Sequence, residues 1–202
     1  MPEPCAECGF DFDAVSVSEG IEKLRSLPRR YRAPLTRFLP GEDGHAVVRR
    51  RPDTDTWSAI EYAAHMRDVV MLWGWALNKV FKEDNPLLPA PTQSELDEVS
   101  AGYGELDPAT VADELEANVE RMAGKAEAAD PGAWDRTGDF GGDRLTALDI
   151  LRKVDHEGHH HLLDIGRVLR AVRQGAPAAL GVPAGTAAGA EAEGGGGARR
   201  HE

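Results

Sequence analysis

Four histidines crowd into residues 156–161, in the string HEGHHH, and a fifth, His65, stands alone in the apolar stretch EYAAHMRD. Imidazoles four residues apart in a helix stack on one face with Cβ atoms roughly 6 Å apart. His156 and His160 can therefore reach one metal ion while His159 and His161 turn away. Two such ligands alone hold a metal weakly. His65 would be costly to bury without a partner, and a divalent ion shared by His65, His156 and His160 accounts for all three, with positions left for water or substrate. Three protein ligands with vacancies describe a catalytic site better than a structural one. The competing reading is a row of histidines on a solvated helix face beside one hydrogen-bonded core histidine.

Charged neighbours could support such a site. Asp68 lies three residues beyond His65 and Asp164 four beyond His160, so either could orient an imidazole from behind or face the ion. Solvent-exposed helix charge is the simpler alternative for both. Arg67, Arg152 and Arg167 could meet a substrate carboxylate, although surface arginines are common on helices. His159 and His161 fall outside the primary site, His159 being the nearer to a substrate or a neighbouring subunit. Separately, Cys5 and Cys8, followed by Gly9, have the spacing of a zinc knuckle. A structural zinc needs four ligands, so closure requires histidines or the same knuckle of another subunit. A redox pair would lack its usual strand-and-helix context, and a plain N-terminal extension is the alternative.

Four helical segments between about residues 16 and 173 must position these groups, which makes the fold class all-α, an up-down four-helix bundle. In the first, Ile21, Leu24, Tyr31, Leu35 and Phe38 form an apolar stripe, with a kink or break expected near Leu27 from Pro28 and Pro34. Ser58 and Glu61 make a capping box for the second, whose apolar run from Tyr62 to Phe81 includes Trp73 and Trp75 as core residues. Asp107 and Pro108 start the third, which carries Val111, Leu115, Val119 and Met122. Thr146 and Asp149 start the fourth, with Leu148, Leu151, Leu162, Ile165 and Leu169. Gly138, Gly141 and Gly142 favour a tight turn or short hairpin just before it. Residues 1–15 read as an extension bearing the cysteine pair, 16–173 as the bundle, and 174–202 as a disordered Ala/Gly-rich tail.

The 202 residues are 41% apolar with a formal net charge of −12, enough for a real core but repulsive to phosphate backbones and anionic lipid, so nucleic-acid and membrane partners are not expected. No segment approaches the roughly 20 apolar residues of a membrane span, and a soluble cytoplasmic protein is expected. Exposed bundle faces allow a homodimer.

The ordered set Trp57-Ser58, Glu61, His65 and, near the end, His156-x-x-x-His160 leading into Asp164-Ile165 resembles the DinB/YfiT-like superfamily of metal-binding four-helix bundles. The resemblance covers about residues 16–173. It implies a divalent ion, commonly nickel or zinc, on His65, His156 and His160. It further implies a thiol-dependent activity, with mycothiol as co-substrate and a small electrophile as partner: an S-transferase or a mycothiol-dependent isomerase. The 18 arginines against 5 lysines suit the GC-rich, actinobacterial genomes in which mycothiol is the expected thiol. A metal-dependent hydrolase and a non-catalytic metal-binding protein are the alternatives.

Overall fold

The computed structural model describes residues 4–88 and 90–175, so the tail expected over 174–202 lies almost wholly outside the described residues. Four long helices form the bundle: α1 (Val17–Thr36), α3 (Ala59–Lys82), α5 (Pro108–Glu127) and α6 (Ala147–Gln174), joined by the short helices α2 (Gly44–Arg49) and α4 (Gln93–Ser100). Each start follows local chemistry. Ser16 and Thr146 accept from the backbone N–H three residues on, and Glu19 and Asp149 reach back to close the box. Asp107 caps α5 with Pro108 in its first turn. The Glu61 carboxylate accepts from both the N–H and the hydroxyl of Ser58 and is paired with Arg51.

Around the bundle the order is α1, α5, α3, α6, with α1 and α3 on one diagonal. Arg25 pairs with Glu120 and Glu127, and Arg32 with Asp113 and Glu116, so α1 and α5 run antiparallel. Arg67 bonds Glu114 while Gly74 abuts Met122, which makes α3 and α5 parallel. The helices thus run up, down, down, up. This refines the simple up-down expectation: the 25 residues of 83–107 are long enough to carry the chain back along the bundle before α5 begins, a return that apolar periodicity does not encode.

Within that return lies the strand β1 (Leu87–Leu88), which pairs in parallel with β2 (Thr137–Phe140), itself hairpinned to β3 (Asp143–Thr146). Gly141 and Gly142, at φ of 63° and 99°, supply the two left-handed residues of the turn. Gly138 brings strand backbone against Leu88 and Val80. The expected hairpin is therefore present, and it seats the first residue of α6: the Ala147 N–H donates to the Arg136 carbonyl, whose own guanidinium bonds the Val80 carbonyl at the end of α3.

Two expectations are corrected. The first helix passes through Pro28 and Pro34 without a break, with Pro28 buried in the core, and Phe38 falls beyond its end. Trp75 is 43% exposed beneath Lys79, whereas Trp73 packs on Phe140 at 4.5 Å. Two residues turn a helix by about 200°, so both indoles could not face inward.

The α1/α6 contact depends on Gly158, where an added Cβ would lie 2.8 Å from both Leu27 methyls and where the Tyr31 hydroxyl donates to the carbonyl at 3.0 Å. Gly158→Ala is expected to lower stability by about 1–2 kcal/mol, because overpacking outweighs the helix-propensity gain. Gly166, in the same helix but with open space around it, gives the opposite sign: Gly166→Ala should gain up to about 1 kcal/mol. Urea unfolding of the two variants checks both.

Candidate metal centre

His65 is carried on the second turn of α3, behind the Ser58 cap, where Trp57 covers one side of its ring at 5.3 Å between centroids. The opposing helix is α6, whose buried line Val154, Gly158, Ile165 and Val168 faces the core. Stepping along that line by threes and fours lands on Glu157 and His161. Donor atoms of His65, Glu157 and His161 lie within 4.8 Å of one another. The His65 and His161 rings meet edge-on at 5.1 Å, and Tyr62 flanks His161 at 5.3 Å.

Electrostatics favour a cation here. Burial, reinforced by the neighbouring His161, holds the His65 imidazole neutral, its pKa down at about 4. His161 goes the other way: burial alone would lower it, but the Asp164 and Glu157 carboxylates push it up to about 9. Its Nδ1 is 3.1 Å from Asp164 and its Nε2 3.2 Å from Glu157. Glu157, though half-buried, is held well below the usual carboxylate range by His156 and His161. Two carboxylates converging on one imidazole describe a pocket of negative charge that a proton on His161 balances and that a divalent ion can balance instead. Two imidazoles and a carboxylate are borderline to hard donors of the kind found in catalytic zinc sites. The residues fit such an ion, and the carboxylate of Asp164 behind His161 fits the usual outer support of a metal-binding histidine.

The two remaining ligands expected from the sequence are brought together elsewhere. His156 and His160 lie with Cys5 and Cys8 in a second group whose donor atoms are again within 4.8 Å of one another. Among the described residues, no group of three such donors joins His65 to His156 or His160. A helix turns about 100° per residue, so 156 and 160 occupy a stripe adjacent to that of 157 and 161, and only the latter points at α3. The structure thus brings His65 together with Glu157 and His161, and not with His156 and His160. Two signals in the sequence carry this: the inward line of α6 extrapolates through 161, and a carboxylate stands one turn before it. Considering imidazoles alone hides both.

Asp164 is buried and sits behind His161, 3.6 Å from His160 Nε2, with Arg167 donating to its other oxygen. Asp68 instead accepts from the Tyr103 hydroxyl at 2.7 Å and pairs with Arg67. His159 joins neither group; it faces Phe10 and lines a cavity with Lys23, Arg30 and Asp155. Arg152 is engaged by the Val15 carbonyl.

No curated protein matches this sequence. A profile of the DinB superfamily matches residues 33–165. Among solved structures, YfiT from Bacillus subtilis, described as a probable metal-dependent hydrolase with an unusual four-helix bundle topology, aligns with a TM-score of 0.69 at 15% identity over 81% of this chain and 92% of its own. A mycothiol-dependent maleylpyruvate isomerase aligns with a TM-score of 0.61 at 17% identity over 77% of this chain, and the match spans 62% of that enzyme. These likenesses establish a shared fold. Among the described residues, no helix is long and apolar enough to cross a membrane.

Proposed function

The chain belongs to the DinB superfamily, and on that premise we propose that it is a metal-dependent enzyme whose ion is held by His65, Glu157 and His161 and which activates a small thiol, of the mycothiol class, for transfer to a small electrophile. The observation that carries the metal reading is the convergence of these three side chains, from two helices, in a half-buried pocket backed by Asp164. A divalent ion bound there would act as a Lewis acid, lowering the pKa of a thiol or water placed beside it.

The chain's own residues do the rest. By accepting from His161 Nδ1, Asp164 fixes the tautomer that turns Nε2 towards Glu157, and Arg167 holds Asp164 in turn. Burial keeps His65 unprotonated at neutral pH, so no proton competes for its donor nitrogen. On metal binding His161 must release its extra proton to solvent. Trp57, Tyr62 and Tyr103 give one side of the pocket an apolar wall, Trp57 meeting Tyr62 at 5.6 Å and Tyr103 at 6.2 Å.

Support for a thiol co-substrate comes from the fold shared with a mycothiol-dependent enzyme. The likeness to YfiT over 92% of that chain supports a second reading, metal-dependent hydrolysis. Incubating metal-replete protein with mycothiol and a panel of alkyl halides, epoxides and conjugated carbonyls, and following free thiol, separates them. Consumption of thiol that is lost in Glu157→Gln is expected. Unchanged thiol together with turnover of esters would replace this reading by the hydrolase.

A further inference from the structure

We infer that the chain carries a second, structural metal site, a closed Cys2His2 set of Cys5, Cys8, His156 and His160 that takes one Zn²⁺ and fastens the N-terminal segment to α6. Its ligands are distinct from those of the activity proposed above, although Glu157 and Asp164 stand between the two groups.

Four observations meet at it. First, both cysteines are free thiols, half-buried against α6 with the two imidazoles, and all four donors lie within 4.8 Å of one another. Cys5 Sγ is 3.8 Å from His160 Nδ1. A tetrahedral zinc with Zn–S of about 2.3 Å and Zn–N of about 2.0–2.1 Å sets S···N separations of roughly 3.6 Å, so the Cys5–His160 pair is already near that separation and the set as a whole closes on an ion by contracting from within 4.8 Å.

Second, the backbone between the thiols is already turned as a knuckle. The Gly9 N–H donates to the Cys5 carbonyl at 2.7 Å, the Cys5 N–H donates to the Phe10 carbonyl at 2.9 Å, and Gly9 takes φ of 70°, which favours glycine.

Third, each imidazole shows a carboxylate its second nitrogen. His160 turns Nε2 to Glu7 and Asp164, both at 3.6 Å, and His156 turns Nδ1 to Glu157 at 3.7 Å. Metal-binding histidines are oriented in this way. Fourth, two of the orphaned polar atoms lie here. His156 Nε2 and Glu7 Oε2 are buried with no hydrogen-bond partner among the described residues. An ion on His160 Nδ1 forces the proton onto Nε2, giving Glu7 a fixed donor, while His156 Nε2 gains the ion itself.

The donor chemistry selects the metal. Two thiolates with two imidazoles suit Zn²⁺ in a closed tetrahedron with no position for a substrate. On binding, each thiol gives its proton to solvent, and Zn²⁺ with two thiolates is neutral, as a half-buried site requires. What the ion would fasten is residues 4–15, anchored otherwise by the buried Phe10 and Val15, by Phe12 tilted against His156 at 5.0 Å between centroids, and by the Arg152 contact to the Val15 carbonyl.

The test uses untagged full-length protein, loaded with zinc and freed of excess. Because Cys5 and Cys8 are the only cysteines of the chain, an organomercurial that captures thiolates attacks this site alone. Release of about one equivalent of zinc to a chromogenic chelator, at about two equivalents of mercurial, is expected in the parent and equally in His65→Ala. Cys8→Ser should hold about one zinc fewer than the parent with the bundle still folded by circular dichroism. In cobalt-loaded protein a thiolate-to-metal charge-transfer band should be present and absent from Cys8→Ser. No zinc released by the mercurial, or a Cys5–Cys8 disulfide in protein that retains all its metal, overturns the assignment. Loss of metal confined to His65→Ala would leave the proposed active site standing and remove only this one.

Discussion

Replacing His161 by alanine is expected to abolish loading of the proposed active site, weakening divalent-ion affinity by more than about 100-fold, while His160→Ala leaves it within a few-fold of the parent. The difference follows from one residue of helical rotation: His161 faces α3 with Nε2 beside Glu157, and His160 faces the cysteines. Glu157→Gln keeps the shape of its side chain but deletes the negative charge that the ion balances, and should cost nearly as much. Asp164→Asn, which acts on this ion through His161, should cost about 10–100-fold. Competition against a metal-binding dye, in a Cys5→Ser/Cys8→Ser background so that one site is counted, reads these values. Retention of metal by His161→Ala with its loss from His160→Ala would restore the grouping of His65, His156 and His160.

What the chain's letters disclosed, and what they hid, divides along the range of the interactions involved. Helix starts rest on contacts three residues apart, so Ser58–Glu61, Thr146–Asp149 and the cap at Asp107 are legible. The Gly141-Gly142 turn is legible for the same reason. The site needed one more fact, the angle at which α6 meets α3, and an error of one position on a helix is a rotation of about 100°. HEGHHH offers two i, i+4 pairs, His156/His160 and Glu157/His161, and the one made of two histidines was not the inward one. The knuckle spacing of Cys5 and Cys8 was visible, but its closure depends on 155 residues of separation between Cys5 and His160, a contact no local pattern states. The parallel course of α3 and α5 was hidden likewise, because the loop that reverses the chain includes a two-residue strand, Leu87–Leu88, whose partner lies 52 residues on.

The largest stability effect expected from a single conservative change is at Asp155. This residue is 2% exposed, sits between α6 and the small residue Gly20 of α1, and has no hydrogen-bond partner for either oxygen among the described residues. Burial pushes its carboxyl up to about 8, against the opposing charge of Lys23. In the unfolded chain an aspartate ionises near 3.9. Between those values the folded state keeps a proton that the unfolded state has lost. Folding therefore takes up a proton, and stability falls by about 1.4 kcal/mol for each unit of rising pH. The contribution is whole below about pH 4 and spent above about pH 8. At pH 7 the accumulated cost approaches 4 kcal/mol, an upper figure because water reaching the carboxylate would reduce it. Asp155→Asn keeps the volume and a neutral polar group but cannot ionise. Compared at identical metal loading, the variant should match the parent near pH 4 and exceed it progressively towards pH 8, with a melting temperature higher by about 10 °C at neutral pH. Melting curves of the two proteins that stay parallel across that range would show that Asp155 is ionised in the folded state, and so that a partner or water reaches its carboxylate between α1 and α6.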